Sequence, residues 1–297
     1  MAKGVIEEIQ CRTAMNRVHG SRLPFRWTLN PYRGCQHACV YCFARSTHEF
    51  LGYDSGSQFD SRIVVKVNMP GVLREELRKP GWQRESVAIG TACDPYEPVE
   101  RRYEITRQVL KVLIDAANPA SIVTKSVLVK RDIDLLKELS SVAQVRVNFS
   151  VGTLDEKVWR TTEPGTPRPL RRLEAMQDLV EAGVPAGVLM APVIPMLSDS
   201  EESMEAVIRA AVEHKAQFLA PNVLHLRPGS KEWFMPFLRE AYPHLLPEYQ
   251  RMYRGSYAPH RYTDQVVAKI NELRERWGLA DRGPLMDQKR GQLAMSM

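Results

Sequence analysis

Residues 34–45 read GCQHACVYCFAR, and this stretch holds three of the chain's five cysteines: Cys35, Cys39 and Cys42. Thiolates are the soft ligands that iron–sulfur clusters need, and spacings of four and three residues let one loop wrap a compact cluster. Ferredoxin-type runs supply a fourth cysteine nearby, and this run does not. Three thiolates leave one iron open, which suits a cluster that binds a substrate or cofactor directly. A disulfide scaffold would spread its cysteines along the chain.

The residues alone leave two other interpretations of this stretch open. Positions i, i+4 and i+7 share one face of a helix, so the cysteines could form a buried helical stripe, although Gly34 and the flanking aromatic residues favour a loop. A zinc site could take His37 or His48 as its fourth ligand, but structural zinc usually uses two separated ligand pairs and no second pair follows. The corresponding functions without catalysis are an iron–sulfur electron carrier and a zinc-stabilised binding module.

Outward from the cysteines, short apolar and β-branched runs alternate with amphipathic segments of helical period. This alternation predicts an α/β fold whose parallel strands are joined by right-handed crossovers. Gly183 suits the position after a helix, and Asp132 and Ser200 suit helix N-caps. The predicted strands are 25–29, 62–67, 87–90, 121–124, 145–151, 186–192 and 218–224, and the predicted helices are 71–78, 103–117, 132–140, 169–182 and 200–214.

Polar or turn-rich segments follow several of the predicted strands. Ligands bind at the carboxyl ends of parallel strands, so these segments are expected to converge on one mouth. After residue 228 the strand signals stop, and helical patterns rich in aromatic residues and arginine begin. Such residues can stack bases and hold phosphates, or they can equally well cover the barrel. The segments at the strand ends are 30–35, 90–94, 124–126, 148–150 and 191–195.

Composition and charge exclude few functions. The 297-residue chain is 44% hydrophobic and 26% charged, which is typical of a globular protein with a large core. No apolar run reaches membrane-spanning length and acids interrupt the first residues, so we expect no membrane partner and a cytoplasmic location. The net charge of +6 permits an anionic partner such as nucleic acid, although the charge is spread along the chain.

The cysteine spacing, with an aromatic residue before the third cysteine, resembles the signature of the radical S-adenosylmethionine (SAM) superfamily. Further segments resemble the spore photoproduct lyase-like branch, many of whose members are labelled DNA repair photolyases. The resemblance implies a partial (β/α)6 barrel of the TIM type, with residues 1–228 as the barrel core and its N-terminal lead-in and residues 229–297 as a C-terminal helical extension. The segments that carry it are CDPYEP at 93–98, TKS at 124–126, EPG at 163–165 and APVIP at 191–195.

The same resemblance implies a [4Fe–4S] cluster on the three clustered cysteines, with SAM bound to the open iron. Reduction by an external donor of the flavodoxin or ferredoxin type then cleaves SAM to a 5′-deoxyadenosyl radical, which abstracts a substrate hydrogen atom. Packing or solvation alone would also explain each residue that the resemblance assigns to SAM. Those residues are Tyr41 near the adenine, Gly90, Thr91 and Asp94 near the amino group, Lys125 at the carboxylate, Ser150, Glu163 and Arg172 at or behind the ribose, and Ala191 under the adenine.

Cys93 and the substrate are the least determined parts of this expectation. Relatives often carry threonine before the Asp-Pro-Tyr run, where this chain has Cys93. Spore photoproduct lyase uses a cysteine near this place as a hydrogen-atom donor, so Cys93 is a candidate catalytic donor, and a small buried residue in place of threonine is the competing interpretation. The substrate is expected to be either a DNA or nucleotide lesion, or a small molecule or peptide.

Overall fold

The computed structural model describes residues 4–18 and 25–280, so residues 281–297 of the predicted extension lie outside the described part. The strands are β1 Val5–Ile9, β2 Met15–Arg17, β3 Trp27–Leu29, β4 Tyr32–Arg33, β5 Arg62–Lys66, β6 Val87–Ile89, β7 Ala120–Thr124, β8 Val145–Ser150, β9 Ala186–Val193 and β10 Leu219–Val223. The α-helices are α1 Ser57–Ser61, α2 Met69–Arg78, α3 Glu100–Tyr103, α4 Ile105–Asp115, α5 Ile133–Val142, α6 Glu156–Thr162, α7 Pro169–Glu181, α8 Glu201–Glu213, α9 Ser230–Ala241, α10 Leu246–Met252 and α11 His260–Arg276. Short 3-10 helices cover Phe43–Thr47, Glu49–Leu51, Val127–Asp132 and Pro243–Leu245.

Six parallel strands form the main sheet in chain order. The sheet runs β10-β9-β8-β7-β6-β3-β2, and only the pairing of β2 with β3 is antiparallel. Helices cross between successive strands, as parallel neighbours require. The predicted α/β fold and partial (β/α)6 barrel are therefore confirmed, and the strands lie within a few residues of their predicted positions.

The predicted strand at 62–67 belongs to a second, smaller sheet. There β5 pairs in parallel with β1 and in antiparallel with β4. The sequence did not indicate β1, because it is an exposed edge strand that contains Glu7 and Glu8, nor β4, because it is two residues long. This small sheet matters because β4 leads directly into the cysteine stretch.

The crossover helices bury one apolar face each. In α4, Ile105, Val109 and Leu113 recur every four residues and are at most 3% exposed. Each such side chain contributes roughly 1.5–3 kcal/mol to the free energy of folding. The helix therefore docks through the face that its periodicity predicts.

Helix ends match the predicted caps in two of three cases. The Ser200 hydroxyl accepts a hydrogen bond from the Ser203 amide at 3.2 Å, and Gly183 follows α7 with φ of +86°. Asp132 does stand at the start of α5, but its carboxylate makes no capping hydrogen bond. It accepts instead from the Arg107 guanidinium at 2.8 Å, because a nearby cation competes for the oxygen.

The C-terminal helices bury most of the aromatic residues of this region. Phe234, Tyr249 and Tyr253 are 0% exposed, and the two tyrosine hydroxyls donate to the carbonyls of Pro195 and Leu224 at 2.6 and 2.8 Å. Of the two predicted roles, these rings therefore cover the barrel and do not stack bases. The domain division at residue 228 stays a prediction. No helix in residues 4–18 and 25–280 is long and apolar enough to cross a bilayer.

Candidate active site

The cysteine stretch is an irregular loop between β4 and the 3-10 helix at residues 43–47, so the helical-stripe interpretation is wrong. Gly34 opens the loop with φ of +75°, and a Cβ there would lie 2.3 Å from the carbonyl oxygen of Arg62. Only glycine combines this left-handed backbone with so close a contact. A tight turn follows, in which the Cys42 amide donates to the Cys39 carbonyl at 3.2 Å.

A buried arginine holds the loop from inside. Arg45 is 0% exposed, and its guanidinium donates twice to the Cys39 carbonyl, at 3.1 and 3.2 Å. It also pairs with Asp60 at 2.8 Å and lies between the rings of Phe59 and Trp233, at 5.0 and 4.7 Å from their centroids. A planar guanidinium can meet all these groups at once, whereas lysine could not. The sequence had indicated no role for Arg45.

The three motif cysteines are free thiols, two of them buried and Cys42 half-buried. Their Sγ atoms do not form a group within 4.8 Å of one another. In the described ranges, the compact group of potential metal ligands is instead Cys35, Cys93 and Glu97. A four-iron cluster holds its thiolates farther apart than a single ion does, so the donor set of Cys35, Cys39 and Cys42 fits a cluster better than one zinc ion.

Neither histidine that could complete a zinc site joins the motif cysteines in a compact ligand group within the described residues, and both ring nitrogens of His48 are buried without a hydrogen-bond partner. His37 Nδ1 lies 3.3 Å from the Asp94 carboxylate, to which its ring is directed. Burial alone would lower the pKa of His37, but Asp94 and Cys35 raise it to about 10. His48 is fully buried against the ring of Tyr53, at a centroid distance of 5.2 Å. The structure therefore gives a histidine-completed zinc site no support.

Cys93 lies against the first motif cysteine. Its side chain is 6% exposed, its thiol donates to the Asp94 carbonyl at 3.5 Å, and its Sγ lies within 4.8 Å of the Cys35 Sγ. The adjacent Cys93 thiol is the main cause that holds the pKa of Cys35 well below its usual value. Burial raises the pKa of Cys93 itself well above its usual value. Cys35 is thus stabilised as a thiolate, the form that binds metal. Glu97 completes this buried group, with its Oε1 lacking a hydrogen-bond partner.

The ends of β3 and β6 are tied together at the mouth. Asn30 donates from its side-chain amide to Thr91 Oγ1 at 3.2 Å and accepts from the Ala92 amide at 2.8 Å. Gly90 and Thr91 follow β6 directly and are both partly exposed. The structure therefore places these two predicted residues where a ligand at the mouth could reach them.

The Asp94 carboxylate makes its hydrogen bonds with groups of the protein itself. Its carboxylate is 7% exposed and accepts from Thr124 Oγ1 at 2.7 Å and from the Lys125 amide at 2.6 Å, in addition to its contact with His37. It joins the end of β6 to the end of β7. Asp94 therefore positions Lys125 and the cysteine loop, and its oxygens have little capacity left for a ligand.

Lys125 is the cation at the mouth that has no carboxylate partner. Its ammonium lies 5.6 Å from the centroid of the Tyr41 ring, and it forms no ion pair with any described residue. Burial alone would lower the pKa of Lys125, but Cys39 and Glu163 raise it overall. A half-buried ammonium that stays charged without a partner is a ready binding group for a ligand carboxylate.

Five other predicted residues form one buried network behind Lys125. The Tyr41 hydroxyl and the Arg172 guanidinium both donate to the Glu163 carboxylate. Arg172 also donates to the Ser150 carbonyl at 2.9 Å, and the Ser150 hydroxyl donates to the Ala191 carbonyl at 2.6 Å. The network connects the cysteine loop with the ends of β8 and β9. Its polar groups satisfy one another, so it supports the mouth as a rigid wall.

A glycine in the predicted EPG segment lets this wall approach the cysteine loop. A Cβ on Gly165 would lie 2.1 Å from the carbonyl oxygen of Gln36, and the Gly165 amide donates to the His37 carbonyl at 3.1 Å. No side chain fits at this contact. The segment therefore holds the loop through backbone contacts as well as through Glu163.

Sequence reasoning missed Arg45, Glu97 and the contact of Cys93 with Cys35. Arg45 stands inside the quoted stretch, but nothing in the letters distinguishes a buried arginine from a solvated one. Glu97 belongs to the CDPYEP segment, so its place in a recognised motif was the available signal. The approach of two cysteines 58 positions apart had no local signal.

A family model described as the Radical SAM superfamily matches residues 29–208 of the chain. The chain belongs to this superfamily and is an enzyme of the radical SAM class. The predicted family is thereby confirmed, on a match that spans the cysteine loop and the strand ends that surround it.

Relatives and solved structures agree with this assignment. An uncharacterized protein of Mycobacterium tuberculosis is 40% identical over 275 residues, which cover 92% of this chain and 81% of that protein. An uncharacterized protein of Methanocaldococcus jannaschii is 30% identical over 260 residues, which cover 87% and 92%. Spore photoproduct lyase complexed with dinucleoside spore photoproduct superposes with a TM-score of 0.67 at 16% identity, over 92% of this chain and 79% of that one. A mutant of that lyase with bound AdoMet and the same dinucleoside superposes with a TM-score of 0.65. These structures show that the chain has the spore photoproduct lyase-like fold.

Proposed function

We propose that Cys35, Cys39 and Cys42 hold a [4Fe–4S] cluster and that SAM binds beside it at the mouth of the barrel. The observation that carries this proposal is the position of three free thiols on one loop next to the unpaired ammonium of Lys125. When bound, the cluster and SAM supply a 5′-deoxyadenosyl radical that abstracts a hydrogen atom from the substrate. The protein contributes position, charge and exclusion of water.

The residues at the mouth divide into ligand contacts and supports. Lys125 would bind the SAM carboxylate, Gly90 and Thr91 would face its amino group, and Tyr41 would offer its ring to the adenine. Asp94, Ser150, Glu163 and Arg172 support these groups through the hydrogen bonds described above. The backbone at Ala191 would form the ledge under the adenine, since the Ser150 hydroxyl already fixes its carbonyl.

A DNA or nucleotide lesion is the substrate class that we propose. The net charge of +6 suits an anionic substrate, and the solved structures of similar fold hold a dinucleoside spore photoproduct. A small molecule or peptide is the alternative class. An external one-electron donor of the flavodoxin or ferredoxin type would reduce the cluster.

The cluster is tested by replacing the three motif cysteines with alanine together. After anaerobic reconstitution, the triple variant should lose its iron, its brown colour and the release of 5′-deoxyadenosine from SAM, while circular dichroism shows a folded barrel. Cys11→Ala is the matched control, because Cys11 is a half-buried thiol of the lead-in beside Asn68 and lies outside the motif. Iron that stays with the triple variant would show that other ligands hold it.

Cys93 is proposed as the hydrogen-atom donor. Its S–H bond would break homolytically, the hydrogen atom would pass to the substrate radical, and the sulfur radical would regain a hydrogen atom from an external thiol. The competing interpretation is a structural thiol, because Cys93 is buried beside Cys35 and donates to the Asp94 carbonyl.

The test compares the products of wild type and Cys93→Ser with dinucleoside spore photoproduct as the probe. If Cys93 is the hydrogen-atom donor, Cys93→Ser should keep its iron and its release of 5′-deoxyadenosine, yet form a different product or none. If Cys93 is a structural residue, the free energy of unfolding of Cys93→Ser should fall by roughly 0.5–3 kcal/mol while the product stays unchanged. An unchanged product would end the donor hypothesis whatever the melting temperature shows.

A further inference from the structure

Three aromatic rings from distant parts of the chain contact one another, and the radical chemistry proposed above does not use them. The main sheet ends in β2 and β3 on one edge and in β10 on the other. Phe43 follows the last motif cysteine, and His225 follows β10, yet their ring centroids are 5.3 Å apart. The ring of Tyr257 stacks on His225 at 5.7 Å, with 25° between the planes. We call Phe43, His225 and Tyr257 the ring ladder.

Two rings of the ring ladder are exposed, in contrast to the buried Phe234, Tyr249 and Tyr253 of the C-terminal helices. Tyr257 is 62% exposed and Phe43 is 38% exposed. Among the described residues the Tyr257 hydroxyl has no hydrogen-bond partner. Large aromatic rings at a protein surface bury much area when a partner covers them, so contiguous exposed rings mark an interaction site.

The ring ladder is held in place before any ligand arrives. His225 and Tyr257 form a backbone β-bridge, and the Leu226 amide donates to the Ser256 carbonyl at 2.7 Å. On the other side, the Ser230 hydroxyl donates to the Cys42 carbonyl at 2.9 Å, which joins the start of α9 to the cysteine loop. A rigid ring surface loses little conformational entropy when it binds a flat ligand.

The charges around the ring ladder favour an anionic ligand with flat rings. Arg227 and Arg254 flank the ladder in sequence, are exposed and form no ion pair with any described residue. Burial and the charge of Arg227 lower the pKa of His225, which favours a neutral ring between Phe43 and Tyr257. Stacked rings beside free arginines are the combination that binds single-stranded nucleic acid, where bases stack and phosphates pair.

We propose that the ring ladder stacks an unpaired base of a single-stranded nucleic acid and that Arg227 and Arg254 contact the flanking phosphates. This inference rests on the proposed nucleic-acid substrate and deepens it, because it names where the strand is held. Phe43 directly follows Cys42, so a base on the ladder would keep the neighbouring nucleotide close to the mouth where SAM is proposed to bind.

The experiment measures binding without chemistry. Fluorescence anisotropy of a labelled oligothymidylate is recorded with anaerobically reconstituted protein, in the absence of SAM and reductant. Tyr257→Ala should weaken binding about 5- to 150-fold, the loss expected for one base stack. Tyr257→Phe keeps the ring and should bind within about twofold of wild type. Because Tyr257 is mostly exposed, the melting temperature of both variants should match wild type.

Two further variants separate stacking from charge. Arg227→Ala should weaken binding and reduce the dependence of log affinity on log salt by about 0.7, the value for one phosphate contact on a single strand. Phe50→Ala is the matched control, because Phe50 is 85% exposed near the cysteine loop but lies outside the ring ladder. This control should bind as wild type does.

Several outcomes would overturn the inference. They are wild type that does not bind oligothymidylate at low salt, Tyr257→Ala that binds as wild type, and Tyr257→Phe that loses as much as Tyr257→Ala. A Tyr257→Ala variant that slows reduction of the cluster by flavodoxin but leaves oligonucleotide binding intact would make the ladder a docking site for the electron donor instead. Iron content and 5′-deoxyadenosine release of wild type are measured separately, so failure of the cluster proposal is distinguishable from failure of the ladder.

Discussion

Two cations at the mouth of the barrel, Arg172 and Lys125, lie near the Glu163 carboxylate and differ in the hydrogen bonds that they make. Arg172 is 0% exposed and donates to Glu163, to Thr166 and to the carbonyls of Ser150 and Pro167. Lys125 is half-buried and has no ion-pair partner among the described residues, with Cys39 and Glu163 attracting its charge and the ring of Tyr41 beside it.

The difference separates support from binding. A buried charge whose hydrogen bonds are all made within the protein stabilises the fold, and it has no capacity left for a ligand. A charge that is brought to the mouth without a partner is costly unless a ligand completes it. Four predictions test this contrast between Arg172 and Lys125, in order of decreasing effect.

Arg172→Ala should have the largest effect, a loss of about 3–5 kcal/mol in the free energy of unfolding. The substitution leaves the Glu163 carboxylate buried without its main partner and leaves the Ser150 carbonyl without its donor. Urea denaturation of wild type and variant measures the difference. The matched control is Arg171→Ala, since Arg171 is the exposed neighbour paired with Glu174, and it should unfold as wild type does. Equal stability of the two variants would contradict the supporting role.

Lys125→Ala should reverse the pattern, with weaker SAM binding and little change in stability. A charge-assisted contact is worth roughly 1.5–3 kcal/mol, so SAM affinity should fall about tenfold or more. Calorimetric titration of reconstituted protein measures it. Lys125→Met keeps the packing and should show the same loss, whereas Lys130→Ala, which removes a half-exposed lysine paired with Asp178, should not. Unchanged affinity would place Lys125 outside the SAM site.

Tyr41→Phe should have a smaller effect on stability than Arg172→Ala. It removes one hydrogen bond to Glu163, which keeps its bonds to Arg172 and Thr166. The expected loss is about 1 kcal/mol, the net value of a single hydrogen bond. A loss as large as that of Arg172→Ala would show that the hydroxyl, and not the guanidinium, keeps Glu163 charged.

The last prediction concerns how the stability of the protein changes at low pH. Burial alone would raise the pKa of Glu163, but Arg172, Lys125 and the Tyr41 hydroxyl bring it below its ordinary value of 4.5. Because the folded pKa is the lower one, the stabilisation by charged Glu163 is fully present above pH 4.5 and is lost as the pH falls through the folded pKa. The stability advantage of wild type over Glu163→Gln should therefore shrink in acid. An advantage that grew in acid would contradict this sign.

Much of the barrel could be predicted because strands and helices have local signatures. The runs that became β7, β8 and β9 are apolar and β-branched, and α7 and α8 show the helical period with a following glycine or a serine cap. The strand-end rule then predicts that Lys125 and Thr91 lie at one mouth. The membership of β5 in the small sheet could not be predicted, since strand pairing depends on which edge is free.

The sequence by itself determined the cysteine spacing, the order of strands and helices and the residues at the strand ends, because these depend on neighbours within a few positions. Only the tertiary structure decided which charges are satisfied. Tyr41 and Glu163 are 122 positions apart, and their hydrogen bond exists only once the end of α6 and the residues after it have packed on the cysteine loop. The same holds for the contact of Cys93 with Cys35 and for the ring ladder, where Phe43 meets His225 from 182 positions away in the sequence. The physical reason is that hydrogen bonds and ring contacts act over short distances in space and leave no pattern in the local sequence. Packing alone therefore decides whether a charged residue is hydrogen-bonded within the protein or is available to bind a ligand.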